Sequence, residues 1–347
     1  MSKKISKIII IAFIALLLVP SAGMLIFGAS KAAANEIQAP LPKALNENGA
    51  INWDFLSGLC DWFDDRFFLR GKLSGAWAGI NASLFKSSVE DDVIAGKNGW
   101  LYYAKSANDY QGVLLSDAEI EKAAENLLAV QNYCEENGMK FLFCVAPNKN
   151  SLYPENMPSR YIRGEGSNAK LLYGKLDEKG VNYANLHDVF SGCGEVLYLK
   201  TDSHWNSRGA ALAADAVLNG LGMDVCYYGG DFSREYFKTG DLYEMLYPEG
   251  EKAEPDYTLN TEFSFKEETN ARGGDAINFK TSCGKGFGKA FIWRDSFGNS
   301  LYPYLAESFS EASFSRADTY DLNKLSAGDY DTVIIEIVER NISRLAE

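Results

Sequence analysis

The chain has 347 residues, enough for one large domain or two small ones, and its 46% hydrophobic and 13% aromatic content is that of a folded globular protein. Its 34 Lys and Arg against 47 Asp and Glu leave a net charge of −13, which argues against nucleic-acid binding while leaving room for a local basic groove. Six scattered cysteines (Cys60, Cys134, Cys144, Cys193, Cys226, Cys283) show no C-x-x-C and no zinc-type Cys/His spacing, so neither metal nor cofactor is expected.

Lys3, Lys4 and Lys7 precede an apolar run from Ile8 to Phe27, long enough to span a bilayer. The basic flank places that end in the cytoplasm and the rest outside it. Two readings stand for residues 1–29. One is an uncleaved membrane anchor, favoured because the run is long for a signal peptide. The other is a signal peptide cleaved near Ala32-Ala33-Ala34. Residues 30–50 read as a linker and 51–347 as the main domain. The apolar positions Phe55, Leu56, Leu59, Trp62 and Phe63 have helical spacing.

Gly96-Lys97-Asn98-Gly99 reads as a turn opening a strand at Trp100. Ser116-Asp117-Ala118-Glu119 is a capping box. It opens a helix with Ile120, Ala124, Leu127, Val130 and Cys134 on one face, ended by Gly138. Residues 140–146 then form a buried strand with Cys144 as core. Asn148 and Lys149 fall at its carboxyl end, as oxyanion or substrate ligands or as a solvated turn. A second helix carries Leu171, Leu172 and Leu176 and stops at Gly180. A strand over 181–186 leads to His187.

The apolar run Val196-Leu197-Tyr198-Leu199 ends at Asp202-Ser203-His204-Trp205-Asn206. Asp202 and His204 are two apart, so in extended chain they point the same way. Asn206 or Ser207 caps a helix through Leu221. Residues 222–285 break the strand–helix rhythm and read as an insertion, a lid or glycan groove. Tyr227, Tyr228, Tyr236 and Tyr243 there are either sugar-stacking or core residues.

The apolar run Ala290-Phe291-Ile292-Trp293 then stops at Arg294-Asp295-Ser296-Phe297-Gly298-Asn299. A serine at a strand end, before a helix, has the mechanics of a nucleophile elbow. It needs a base, and the chain has two histidines. Ser296 as nucleophile, His204 as base and Asp202 as its orienting carboxylate make a triad from two strand ends. Asn299 is a further oxyanion candidate. The last strand, residues 333–338, delivers Arg340, which orients a donor or forms a salt bridge. Alternating strands and helices predict an α/β/α sandwich with a mostly parallel central sheet.

Asp-Ser-His-Trp-Asn (202–206), Arg-Asp-Ser-Phe-Gly-Asn (294–299) and the strand ending in Glu339-Arg340 together resemble the SGNH-hydrolase-like proteins of the alginate O-acetylation (AlgJ/AlgX) and DHHW type, over roughly residues 50–347. Pro147-Asn148-Lys149 and Gly240-Asp241-Leu242 are similar to further elements of that family. Two positions depart from the pattern: Arg294 stands where a Gly precedes Asp-Ser, and Ser203 replaces the first His of Asp-His-His-Trp. The resemblance implies an O-acetyltransferase working outside the cytoplasm through an acetyl-serine. Its acceptor would be a cell-envelope or exported polysaccharide and its acetyl donor a membrane-bound O-acyltransferase. A carbohydrate acetylesterase and an inactive glycan-binding envelope protein are the alternatives.

Overall fold

The computed structural model describes residues 3–30, 38–46, 48–84, 92–248, 250–316, 320–325 and 328–347. The candidate cleavage site Ala32-Ala33-Ala34 and residues 31–37 of the expected linker lie outside these. The chain divides into two compact units: Met1–Ala95 with Thr239–Ala253, and Gly96–Lys238 with Glu254–Glu347.

The first unit is largely helical. Its N-terminal helix, Lys3–Phe27, contains Pro20. Among the described residues no single helix is long and apolar enough to cross a membrane. Lys4–Ala15 and Leu18–Phe27 meet that requirement only as a pair, bent by 43°, and by length and composition alone. Pro20 accounts for the bend, since its ring displaces the carbonyl four residues earlier, between the two halves. The helix predicted from Phe55 is present as Phe55–Asp64, with none of its residues fully buried.

The second unit is built on a seven-stranded sheet. Its strands are β1 (Lys140–Ala146), β2 (Tyr183–Ala184), β3 (Lys266–Glu267), β4 (Asn278–Ser282), β5 (Lys289–Trp293), β6 (Glu311–Ser315) and β7 (Thr332–Val338), in the spatial order β2-β1-β7-β5-β6-β4-β3. The sheet is mixed, which corrects the expectation of a mostly parallel one. Pairs β2–β1, β1–β7, β7–β5 and β5–β6 are parallel, whereas β6–β4 and β4–β3 are antiparallel. Chain length explains the reversal. Only residues 283–288 join β4 to β5, too few for the crossover that parallel strands require. Both β3 and β4 come from the stretch read as an insertion.

Helices α1 (Asp117–Glu136), α2 (Asn168–Lys179), α3 (Leu186–Cys193), α4 (Ser207–Gly220) and α5 (Gly298–Ser308) cover the sheet. The predicted capping box forms: Glu119 N–H donates to Ser116 Oγ (3.3 Å) and Ser116 N–H to Glu119 Oε2 (2.8 Å). The predicted face of α1 is buried, in one core with α2, Phe141, Phe143, Val145, Phe291, Trp293, Val333, Ile335 and Ile337. Leu171 is exposed rather than inward. The intervening strand positions face the opposite way, toward α3, α4 and α5. The strand expected over 181–186 is only two residues long, because the Asn185 side chain accepts from Asp188 N–H and starts α3. At Gly209, inside α4, a Cβ would lie 2.5 Å from the Leu197 carbonyl, so only glycine lets α4 pack against the segment leading to His204.

Candidate active site

The Ser296 segment follows β5, and helix α5 begins two residues later. Here the parallel strands end, the place where α/β folds gather their chemistry. Ser296 Oγ donates to His204 Nε2 (2.9 Å), and His204 Nδ1 donates to Asp202 Oδ1 (2.7 Å). Asp202 is 1% exposed, while the His204 side chain keeps 20% of its surface. The three side chains predicted from the sequence are thus in one hydrogen-bonded line.

The Asp202–His204 contact arises from a turn, not from extended chain. An isolated antiparallel bridge joins Tyr198 to Trp205, and residues 199–204 form the loop at its tip. Asp202 Oδ1 also accepts the His204 backbone N–H (2.9 Å), which closes an Asx-type turn and brings the imidazole over its own carboxylate. Two buried residues hold this loop. Lys149 Nζ donates to the carbonyls of Leu199 (3.0 Å), Lys200 (3.1 Å) and Asp202 (2.6 Å), and sits over the rings of Trp100 and Tyr102. Glu254 accepts from the Lys200 N–H, the Thr201 N–H (2.8 Å) and Thr201 Oγ1 (2.6 Å). Lys149 therefore points into the loop that carries Asp202. Glu254 was not anticipated, since it lies in the irregular 222–285 stretch.

Phe297 fixes the imidazole from the other side. Its buried ring lies 4.8 Å from His204 and 5.0 Å from Trp205, whose Nε1 donates to Ser300 Oγ in α5 (2.7 Å). The Arg340 guanidinium stands over Phe297 and Tyr103, at 5.4 and 5.0 Å. The other candidate ligands are engaged. Asn148 Nδ2 donates to Asp109 (2.9 Å), and Asn299 Nδ2 to Asp275 (2.6 Å). His187 lies against Glu339 and Tyr173, apart from the Ser296 line.

Arg294, the residue in place of the expected glycine, turns away from the serine and is 4% exposed. It donates to Asp295 O (3.0 Å), Asn299 Oδ1 (2.6 Å), Ala276 O (2.9 Å) and Gly274 O. Burial lowers its pKa to about 10, still a cation at neutral pH. It thus ties the strand end, the first turn of α5 and the 274–276 segment together. Asp295 uses both carboxylate oxygens on backbone, accepting from Phe297 N–H (2.9 Å) and Val338 N–H (2.8 Å). Its own N–H donates to Glu336 Oε2 (3.1 Å). Burial, then the charge of Asp295, pushes the Glu336 carboxyl well above the usual range. Glu336 was not anticipated either; the signal that could have marked it is a lone acid in the apolar run Val333–Val338.

The sheet order, the covering helices and a Ser-His-Asp line at the strand ends are those of an SGNH-like α/β fold. Residues 93–229 match the family model described as SGNH hydrolase-like domain, acetyltransferase AlgX, a stretch that holds Asp202 and His204 and ends before Ser296. Over 183 residues, 49% of this chain, the sequence is 24% identical to the Pseudomonas syringae pv. tomato protein named "Probable alginate O-acetylase AlgJ". Over 178 residues, 47% of this chain, it is 25% identical to the Pseudomonas aeruginosa protein of that name. The chain spans only 44% and 40% of the lengths of these relatives. Among solved structures, Bacillus cereus PatB1 superposes with a TM-score of 0.54 over 74% of this chain and 98% of that one, at 18% identity. That likeness carries the fold. The resemblance read from the motifs is borne out.

Proposed function

We propose that this protein is an extracytoplasmic O-acetyltransferase that passes an acetyl group through Ser296 to a cell-envelope or exported polysaccharide. The observation that carries the reading is the hydrogen-bonded line from Ser296 through His204 to buried Asp202. Ser296 Oγ attacks the acetyl carbonyl of the donor while its proton moves to His204 Nε2. Asp202 stabilises the imidazolium and holds its tautomer. The Ser296 backbone N–H is the first donor to the developing oxyanion, and Asn299 or Asn148 becomes the second if its amide turns from its present carboxylate. Collapse of the tetrahedral species breaks the bond to the donor's leaving group, which takes the proton from His204 Nε2, and leaves acetyl-serine beside a neutral imidazole. An acceptor hydroxyl then attacks the acyl carbon, gives its proton to His204 and regenerates Ser296.

The setting is proposed with it. Lys3, Lys4 and Lys7, in the first turns of the helix and ahead of its apolar run, support a single-pass anchor with the catalytic domain outside the cytoplasm. A membrane-bound O-acyltransferase would then supply the acetyl group from within the bilayer. Lys149 enters as the residue that holds the Asp202 loop, and Arg340 as the cation over Phe297, the ring that packs on His204. The names of the relatives, alginate O-acetylase among them, support acetyl transfer to a polysaccharide.

The test is intact mass of the full chain in detergent after brief exposure to p-nitrophenyl acetate, beside Ser296→Ala. A single acetyl adduct on the wild type and none on the variant is expected. Absence of the adduct, or an adduct of equal yield on the variant, overturns the reading. Rapid hydrolysis that added oligosaccharides do not divert would instead make the protein an acetylesterase.

A further inference from the structure

In the first unit, the chain around Phe68 packs against the end of the apolar helix Lys3–Phe27. Phe68 N–H donates to the Pro20 carbonyl (3.3 Å), and Ser30 N–H to the Arg66 carbonyl (3.1 Å). The rings of Phe27 and Phe68 stack at 5.1 Å. At Gly23 a Cβ would lie 2.2 Å from Phe68 Cδ1, so the ring needs glycine there. Phe68 therefore sits beside the last turns of the helix. Further bonds tie the neighbouring segments to the same base. Arg66 Nη1 donates to the Ala39 carbonyl (2.7 Å), and Ala39 N–H to Asp65 Oδ2 (2.6 Å). Asn52 N–H donates to the Ala44 carbonyl (3.0 Å) and its side-chain amide to the Lys43 carbonyl (2.9 Å).

The segments held there turn apolar side chains outward. Among the described residues, seven exposed large apolar side chains fall between Leu41 and Trp77, against eight in all the chain beyond. Trp53 is 88% exposed. Leu45 and Ile51 pair across an antiparallel bridge, and Leu73 and Trp77, four apart in the helix Arg70–Leu84, share a face. So dense a cluster marks a contact surface. Its position says what covers it. If Lys3, Lys4 and Lys7 lie inside, the end of the helix at Phe27 lies at the outer face of the bilayer. Phe68, bonded to Pro20, is then at the depth of the outer leaflet, with its N–H paired as lipid requires. The segments on either side of it leave along the membrane surface, where tryptophan and leucine side chains are at home. Charge does not oppose this. Residues 41–77 carry four Lys and Arg against five Asp and Glu, nearly neutral within a chain of net charge −13.

We propose that residues 41–77 form a membrane-docking face that lies in the outer interface of the bilayer, with Trp53 and Trp77 seated at the level of the headgroups and upper acyl chains. The inference rests on the anchor reading above. It makes the stretch after the helix a lipid-bound support for the catalytic unit rather than a free linker.

The experiment uses the full chain reconstituted into phosphatidylcholine vesicles, with and without bromine on the acyl chains, and reads tryptophan emission. Bromine quenches only indoles close to it. The helix Lys3–Phe27 holds no tryptophan, so the signal does not come from the anchor. Trp100, Trp205 and Trp293 are buried in the second unit, and Trp62 lies under Arg66. We expect brominated lipid to lower wild-type emission by about a third, since two of the six indoles would sit in the interface. Trp53→Phe and Trp77→Phe together should abolish that quenching. Flotation of the vesicles reads the anchor separately. If the protein floats with them but brominated lipid leaves its emission unchanged, or if the double variant is quenched as the wild type is, the docking face is refuted and the anchor stands. If the protein does not float, both fall together.

Discussion

Ser296 and His204 are 92 positions apart in the chain, yet Oγ and Nε2 lie 2.9 Å from each other. The contact joins the end of β5 to a loop tip that Lys149 and Glu254 hold from below. If the line acts as a unit, Ser296→Ala, His204→Ala and Asp202→Asn should each lower turnover of an aryl acetate by about three orders of magnitude or more. The Ser296→Ala/His204→Ala double variant should be no slower than the worse single one. Losses that simply multiply would count against a shared mechanism.

Lys149 should matter to stability as well as to rate. Replacing it with Met removes three charge-assisted hydrogen bonds and takes that donor from the carbonyls of Leu199 and Asp202, while the Lys200 carbonyl keeps the Leu101 N–H (2.8 Å). A cost of about 2–4 kcal/mol in urea unfolding is expected, because buried acceptors keep their desolvation penalty when the donor is lost. Turnover should fall further than stability alone explains, since the Asp202 loop is released. An unchanged urea midpoint would show that the loop holds itself.

Arg294 and Gly298 form a matched pair. A Cβ on Gly298 would lie 2.4 Å from Arg294 Cδ, so Gly298→Ala must displace the arginine from the carbonyls that it ties. We expect thermal unfolding to drop by several degrees and turnover to fall with it. A double variant with Arg294→Gly should recover part of the loss of Gly298→Ala, as coupled neighbours do.

Glu336 gives a pH signature. Its folded pKa is raised, so above the ordinary glutamate value the folded state binds more protons than the unfolded one, and stability falls as pH rises. Asp109, pushed up to about 6 by burial and then by Glu339, contributes in the same direction but is largely titrated by pH 7. As pH rises above the ordinary glutamate range the wild type should therefore lose stability with a slope that Glu336→Gln reduces. Equal slopes in urea unfolding across that range would mean that Glu336 is ionised in the folded protein.

Much of the second unit was legible in the sequence because its signals are local. The capping box before α1, the glycine after α2, the apolar runs of β1, β5 and β7 and the Asn206 cap act over a few residues, and each stands where the pattern put it. The three members of the Ser296 line were legible for a related reason. Two short polar motifs after apolar runs carry complementary chemistry, and the chain holds only one other histidine to compete for the role of base.

What supports that line was not legible. A lysine at a strand end looks like a ligand until its three acceptors are known, and those are supplied by a loop 50 residues away. Glu254 and Glu336 have no neighbouring motif, since their partners come from other segments of the fold. The reversal of β4 followed from chain length between strands rather than from any residue type. Residue types and local spacing determined by themselves which elements form and which side chains can do chemistry. Only the tertiary structure decided the sheet's direction changes, the resting place of Arg294 and the orientation of Asp202 toward His204, because each depends on hydrogen-bond partners that folding brings together from distant parts of the chain.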